Sequence, residues 1–234
     1  LLSQPAQLIA FSFQAVIGLG TVFLTFPAAT TDAAGADFVD ALFTATSATC
    51  VTGLAVLNTS VTVAGDLAFT HFGQLVILIL VQVGGLGIMT LSAAVVLLLG
   101  RRLGLRSQAL LQDVLEETSQ HALERSVRYI FRMTLVTEGI GALVLFYRFL
   151  PHTDDALASA GTAVFMSVSA YCNAGFSLWP DSLMTFRSDY WVMTTIMTLI
   201  TVGGLGPLVV GALASGRQWR HLPGAVRLAV QVSA

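Results

Sequence analysis

The chain has 234 residues, 55% of them hydrophobic and 10% charged, with a mean hydropathy of +0.80. Soluble domains carry about 25% charged residues, so this apolar excess cannot be hidden in one aqueous core, and lipid is the implied solvent. A formal net charge of −2 without a concentrated basic face excludes nucleic acid as a partner.

In chain order, the first predicted element is an apolar membrane span over residues 7–27. Residues 36–58 are also apolar but too short to cross a bilayer twice, and they read as a re-entrant helix and loop. A second span covers 72–99, followed by a polar stretch at 101–125 in which 107–124 reads as an amphipathic cytoplasmic helix with Leu110, Leu111, Val114 and Leu115 on one side. The third span, 128–150, holds Arg128 and Arg132 in its first turns and Glu138 inside. Long arginines near a helix end snorkel to the interface, so the span stands. Residues 154–180 repeat the short apolar character of 36–58, and a fourth span covers 190–214, with Trp191 and Trp219 near its predicted ends. Both short segments open on aspartate, Asp37 in one and Asp154 and Asp155 in the other, a residue that satisfies free N–H groups at a helix start. The segmentation is therefore 1–99, a linker at 100–127, 128–214, and a tail at 215–234.

All eleven basic residues are arginines, and nine of them, Arg101, Arg102, Arg106, Arg125, Arg128, Arg132, Arg217, Arg220 and Arg227, follow the second and fourth spans. Those stretches read as cytoplasmic. Eight acidic residues, Asp32, Asp37, Asp40, Asp66, Asp154, Asp155, Asp181 and Asp189, fall in the alternate connections, which then face outside.

The sequence repeats internally. A-L-F-T-A-T-S-A-T-C-V-T-G-L at 41–54 set over A-V-F-M-S-V-S-A-Y-C-N-A-G-F at 163–176 gives six identities in fourteen positions. The following spans match again, V-G-G-L-G at 83–87 against 202–206, at offsets of 122 and 119 residues. The repeat accounts for Cys50 and Cys172 more simply than a disulfide does. Backbone at membrane depth is tolerated only when buried or lining a watery cavity, where free carbonyls replace an ion's hydration shell. Gly53 and Gly175 let such a backbone turn without a Cβ in the way, and each short helix aims its negative end at the cavity, favouring a cation.

These motifs, with Q-V-G-G-L-G-I-M-T at 82–90 and S-A-Y-C-N-A-G-F-S at 169–177, resemble the pore subunits of the Trk/Ktr/HKT potassium transporters over essentially the whole chain. The resemblance implies an all-α membrane protein of two helix–pore loop–helix repeats, half of a pseudo-fourfold cation pore. It also implies potassium as the transported ion, held at one filter quarter by Val51, Thr52, Gly53 and Leu54 and at another by Asn173, Ala174, Gly175 and Phe176. Family members with serine in the first loop tend to conduct sodium, so glycine at both positions points to potassium. No cofactor is implied in the chain. The implied partners are membrane lipid, a second copy of the complete subunit, and a cytosolic nucleotide-binding regulatory subunit, at the cell membrane in a multi-pass arrangement. The family's third repeat has no counterpart here, and 223–234, apolar again, reads as the start of one. A half-length protein that works as two copies is the alternative.

Two other classes compete with a transporter. A membrane-embedded enzyme lacks a visible nucleophile elbow or phosphate loop, and His71, His121, His152 and His221 have no metal-ligand spacing. A non-conducting membrane scaffold is the other. Glu138 reads as a structural group bonded to Arg132 or to a neighbouring helix, and the V-G-G-L-G runs read as helix-packing sites rather than hinges.

Overall fold

The computed structural model describes residues 3–32, 35–59, 68–102, 112–153, 155–179, 181–207 and 210. Their regular structure is helical: α1 Ser3–Leu24, α2 Phe38–Thr49, α3 His71–Arg102, α4 Gln112–Phe149, α5 Ala156–Tyr171 and α6 Tyr190–Leu205, with 3₁₀ turns at Pro27–Ala29 and Leu150–His152. Among the described residues there is no strand, only isolated bridges joining Thr30 to Phe69 and Asn58 to Ala68. The apolar windows His71–Ile88 in α3 and Val127–His152 in α4 are long enough to cross a bilayer, while Ala10–Leu24, Ala156–Tyr171 and Tyr190–Leu205 are shorter apolar helices. The chain is an all-α membrane protein.

Two boundaries differ from the sequence reading. The amphipathic linker helix and the third span form one continuous helix from Gln112, because no glycine or proline interrupts 112–138. The fourth span is interrupted: α6 breaks after Leu205, where Gly206 turns to φ +80°, and helical backbone resumes at Pro207, with Val210 N–H donating to the Gly206 carbonyl at 3.1 Å, while 211–214 lie outside the described residues. At the matching point of α3, Gly87 is followed by Ile88, which has its N–H, and the helix runs on. The tail 215–234, with its expected third-repeat start, Trp219 and His221, lies outside the described residues.

The helices pack chiefly within two triplets, α1 with α2 and α3, and α4 with α5 and α6, while α3 also packs across against α4 and α5. The inner contacts of the triplets correspond. A Cβ at Gly20 would lie 2.7 Å from Leu80 Cδ1 and 3.3 Å from Ala45 Cβ, and one at Gly141, 121 residues on, 2.7 Å from both Leu199 Cδ1 and Ser167 Oγ. Leu199 follows Leu80 by 119 residues and Ser167 follows Ala45 by 122. Small residues at these points let the outer helices approach closely, which drives association where lipid is as apolar as the side chains. Outside, large apolar side chains stay uncovered, among them Phe11 at 66%, Ile140 at 62% and Leu157 at 81% exposure. In water such a surface would drive association.

Beyond the first loop, Phe69 N–H donates to the Asn58 carbonyl, Thr70 N–H to Ala29 and Thr31 N–H to Ala68, at 2.9–3.0 Å, pinning the segment before α3 to the turn after α1. The connection after the second loop is held by aromatic rings instead. Phe186 packs 5.0 Å from both Phe149 and Trp179 and 5.1 Å from His152, centroid to centroid.

Candidate ion-pathway loops

Both loops grow from the ends of short helices that begin the same way. Asp37 caps α2 by accepting from Phe38 N–H at 3.0 Å, and Asp155 caps α5 by accepting from Ala158 N–H at 2.6 Å. Each helix is capped at its C-terminus by a cysteine, whose N–H still donates four residues back, Cys50 to Thr46 and Cys172 to Val168. Both cysteines are free thiols. The backbone then enters the left-handed region at alternate residues: Val51 at φ 57° and Gly53 at 78°, Asn173 at 59° and Gly175 at 76°. Asparagine and glycine adopt this readily, but a β-branched valine there costs about 1–3 kcal/mol and persists only where its surroundings hold it.

The hold comes from the helix just left behind. Val51 N–H donates to Ala48 at 3.2 Å and Thr52 N–H to Ser47 at 2.9 Å; in the second loop Asn173 N–H donates to Ala170 at 3.1 Å and Ala174 N–H to Ser169 at 2.7 Å. Among the described residues, no donor is bonded to the carbonyls of Val51, Thr52, Gly53, Asn173, Ala174 or Gly175. These four N–H groups are turned inward while the six carbonyls are left over, the polarity a cation needs.

Two serines that the sequence reading passed over anchor the fourth loop residues. Ser47 Oγ accepts from Leu54 N–H at 2.8 Å and also bonds Thr52 Oγ1 at 2.9 Å. Ser169, at the same repeat position, works with reversed polarity: its hydroxyl donates to the Phe176 carbonyl at 2.6 Å. That carbonyl is therefore already engaged, unlike those of the three residues before it. Both serines lie within the aligned repeat segments, and their identity there was the available signal.

The structure brings the two loops together at their glycines. A Cβ at Gly53 would run into the Ala174 carbonyl oxygen and lie 3.1 Å from Gly175 Cα, and one at Gly175 would lie 3.4 Å from Gly53 Cα. Ala174 and Phe176 are buried, at 0% and 4% exposure, while Thr52, Leu54, Asn173 and Gly175 are exposed. Each loop is seated on the last helix of its own triplet, α3 or α6. A Cβ at Gly84 would overlap the Thr49 carbonyl oxygen, and one at Gly203 that of Tyr171, each the last residue of a short helix. Gly85, next door, faces the other triplet, where a Cβ would come 2.9 Å from Cys172 Cβ. The V-G-G-L-G run thus gives α3 a backbone-close seat for both loops.

Behind the second loop lies Glu138, 6% exposed. Its carboxyl lies beside the Gln82 amide of α3, with Cys172 Sγ 4.0 Å from Oε1, and its backbone carbonyl accepts from Ser167 Oγ at 2.7 Å. Gln82 Nε2 falls short of hydrogen-bond geometry to any described atom. Of the two partner options for Glu138, the neighbouring helix is the one realised: Arg132 is exposed on a different face of α4. Among the described residues no group of three or more His, Cys, Asp or Glu side chains is gathered as a metal site would need.

Two short helices that stop inside an apolar helical bundle, each followed by a loop turned back on its own helix, belong to an all-α membrane protein. Residues 3–222 match the family model described as TrkH, cation transport protein, and the chain belongs to that family, which is one of transporters rather than enzymes. It is 38% identical over 216 residues to Ktr system potassium uptake protein B of Bacillus subtilis, covering 92% of this chain and 46% of that protein. To the protein of the same name from Vibrio alginolyticus it is 41% identical over 215 residues, 92% of this chain and 44% of that protein. Potassium/sodium uptake protein NtpJ of Enterococcus hirae is 32% identical over 230 residues, 98% of this chain and 49% of that protein. The chain spans about half the length of these relatives.

Proposed function

We propose that this chain forms part of a potassium-conducting pathway, with the carbonyls of Val51, Thr52, Gly53, Asn173, Ala174 and Gly175 standing in for the ion's hydration shell and Leu54 and Phe176 closing each loop. The observation that carries the reading is the inward turn of the N–H groups of Val51, Thr52, Asn173 and Ala174, which leaves six carbonyls of two abutting loops without a donor among the described residues. The short helices add the negative ends of their dipoles behind the same loops. Relatives named as potassium uptake proteins support the choice of ion. Two quarters surround an ion only in part, so conduction belongs to the assembled protein, in which residues 1–99 and 128–214 each contribute one helix–loop–helix unit. The relatives' description as a Ktr system fits a multi-pass subunit of the cell membrane that pairs with a second copy and with a cytosolic nucleotide-binding subunit.

The test is Gly53→Ser in the intact transporter. Serine adds a Cβ where the Ala174 carbonyl stands, at a residue already in the left-handed region. Potassium uptake by a potassium-transport-deficient strain should fall at least about tenfold relative to sodium uptake, the effect of roughly 1.4 kcal/mol at the filter. Wild-type uptake and wild-type preference of potassium over sodium in this variant would remove Gly53 from the pathway.

A further inference from the structure

The outer side of α4, away from the core of the described residues, carries a cationic pair that the proposed pathway does not use. The core face of α4 runs through Ile130, Thr134, Glu138, Leu145 and Phe149, all at 6% exposure or less. Arg128 and Arg132 stand two residues before Ile130 and Thr134, about 200° round the helix, and both are exposed. They point away from the loops. Val136, Ile140, Leu143 and Tyr147 continue this outer side at 57–65% exposure, an apolar strip as a lipid-facing helix requires. The arginines sit where that strip begins, in the first turns of the apolar window Val127–His152.

Arg148, at the far end of the same helix, is paired with Asp189. Among the described residues Arg128 and Arg132 have no ion pair. Together with Tyr129, Met133 and Val136 they line a groove of about 380 Å³. Its chemistry is graded: two guanidiniums one helical turn apart and a phenol at the polar end, a thioether and an isopropyl group at the apolar end. A guanidinium binds phosphate through two parallel N–H···O bonds, and phenols favour the headgroup level.

We infer that the groove formed by Arg128, Tyr129, Arg132, Met133 and Val136 is a binding site for one anionic phospholipid. The headgroup phosphate bridges the two arginines and an acyl chain lies along Met133 and Val136. Two positive charges without an ion pair among the described residues select a headgroup of net negative charge; a zwitterionic one brings its own ammonium and leaves the pair in excess. Free phosphate matches the guanidiniums but has nothing to place against the apolar end.

The experiment uses the intact transporter, delipidated in detergent, titrated with dioleoylphosphatidylglycerol or dioleoylphosphatidylcholine, and read by native mass spectrometry. The wild type should retain one phosphatidylglycerol and little phosphatidylcholine. Arg128→Gln with Arg132→Gln should weaken phosphatidylglycerol binding about 30-fold, about fivefold for each arginine. Arg128→Lys with Arg132→Lys should keep it within a few-fold, which separates lost charge from lost fold, and Arg187→Gln, an exposed arginine in the connection before α6, should change nothing. Equal retention of the two lipids, unchanged affinity in the glutamine pair, equal loss in the lysine pair, or displacement of the lipid by inorganic phosphate at matched concentration would each overturn the site.

Discussion

Replacing Gly84 by alanine places a methyl group inside the van der Waals envelope of the Thr49 carbonyl oxygen, 2.8 Å from Thr49 C and 3.1 Å from Thr49 Cα. Those are backbone atoms of the last residue of α2, so no rotamer change relieves the overlap; the end of α2 must retreat from α3 by on the order of 1 Å, or α3 must bend. Overpacking of this kind costs about 1–3 kcal/mol, against a helix-propensity gain of about 1 kcal/mol for alanine over glycine. Stability should therefore fall by no more than about 2 kcal/mol. Geometry is hit harder, because Thr49 is separated by Cys50 alone from the left-handed Val51–Gly53 segment, and the carbonyls proposed to converge on an ion would not tolerate that displacement. Gly203→Ala should behave alike, since its Cβ meets the Tyr171 carbonyl group in the same way. Gly139 is the internal control: it is exposed on α4, a Cβ there meets nothing within 4 Å, and alanine should be neutral or slightly stabilising. The assay is potassium-dependent growth together with thermal unfolding in detergent. Gly84→Ala and Gly203→Ala should lose most uptake while remaining folded, and Gly139→Ala should match the wild type. Wild-type uptake in Gly84→Ala, or a loss in Gly139→Ala as deep as in Gly84→Ala, would refute the seating argument.

Phe186, 2% exposed, centres the ring cluster that holds the connection before α6, so Phe186→Ala should cost about 3–5 kcal/mol and appear as a lower unfolding temperature and faster proteolysis between Ser177 and Asp189. Asp189 is held below the usual carboxylate range: slight burial works the other way, but Nε of Arg148 at 3.0 Å and the N–H groups of Val192 and Trp191 outweigh it. A depressed carboxylate stabilises above its unfolded pKa and loses that contribution as pH falls through the folded value. With the arginine half exposed the contribution is under about 1 kcal/mol, so Asp189→Asn should shift stability by less than that at pH 7 and remove part of the acid sensitivity below pH 4, as a melting series across pH reads directly.

Apolar runs and turn chemistry made much of this architecture legible. Asp37 and Asp155 announced the starts of the short helices because a carboxylate before an apolar run has a local task, and the cysteine and glycine at matched positions announced their ends. The contacts that fix the loops were illegible for the opposite reason. Gly84 meeting Thr49 joins residues 35 apart, and Ser169 reaching Phe176 depends on a backbone that turns back on itself; neither leaves a periodic trace. The reversed roles of Ser47 and Ser169 could not be read at all, since a hydroxyl donates or accepts according to what its surroundings offer. The break after Leu205 was written in the sequence as Gly206 followed by Pro207, but the apolar residues on both sides of it let the predicted span read as unbroken.

Glu138 separates a structural role from a transport role. Its counterpart 121 residues earlier is Ile17, so the carboxyl is a feature of the second triplet only, at the point where α4 and the second loop meet α3. Its neighbours are neutral, the Gln82 amide beside it and the Cys172 thiol 4.0 Å from Oε1, and the Ser167 hydroxyl bonds its backbone rather than its side chain. A carboxyl group among neutral donors at this depth serves as a shaped hydrogen-bonding group, and an amide of the same shape serves equally well. Glu138→Gln should then keep potassium uptake within about threefold of wild type, with an equal or higher unfolding temperature, since no buried ionisable group remains to be accommodated. Glu138→Ala should differ, leaving a hole behind Cys172 and the Gln82 amide with one neighbour fewer, at about 1–3 kcal/mol. Ion preference should stay intact in Glu138→Gln, because the Ser167 bond to the residue 138 carbonyl survives the substitution. A folded Glu138→Gln protein that has lost uptake, or whose uptake has lost a pH dependence the wild type shows, would mean that the charge or its proton takes part in transport and that the packing account of this residue is wrong.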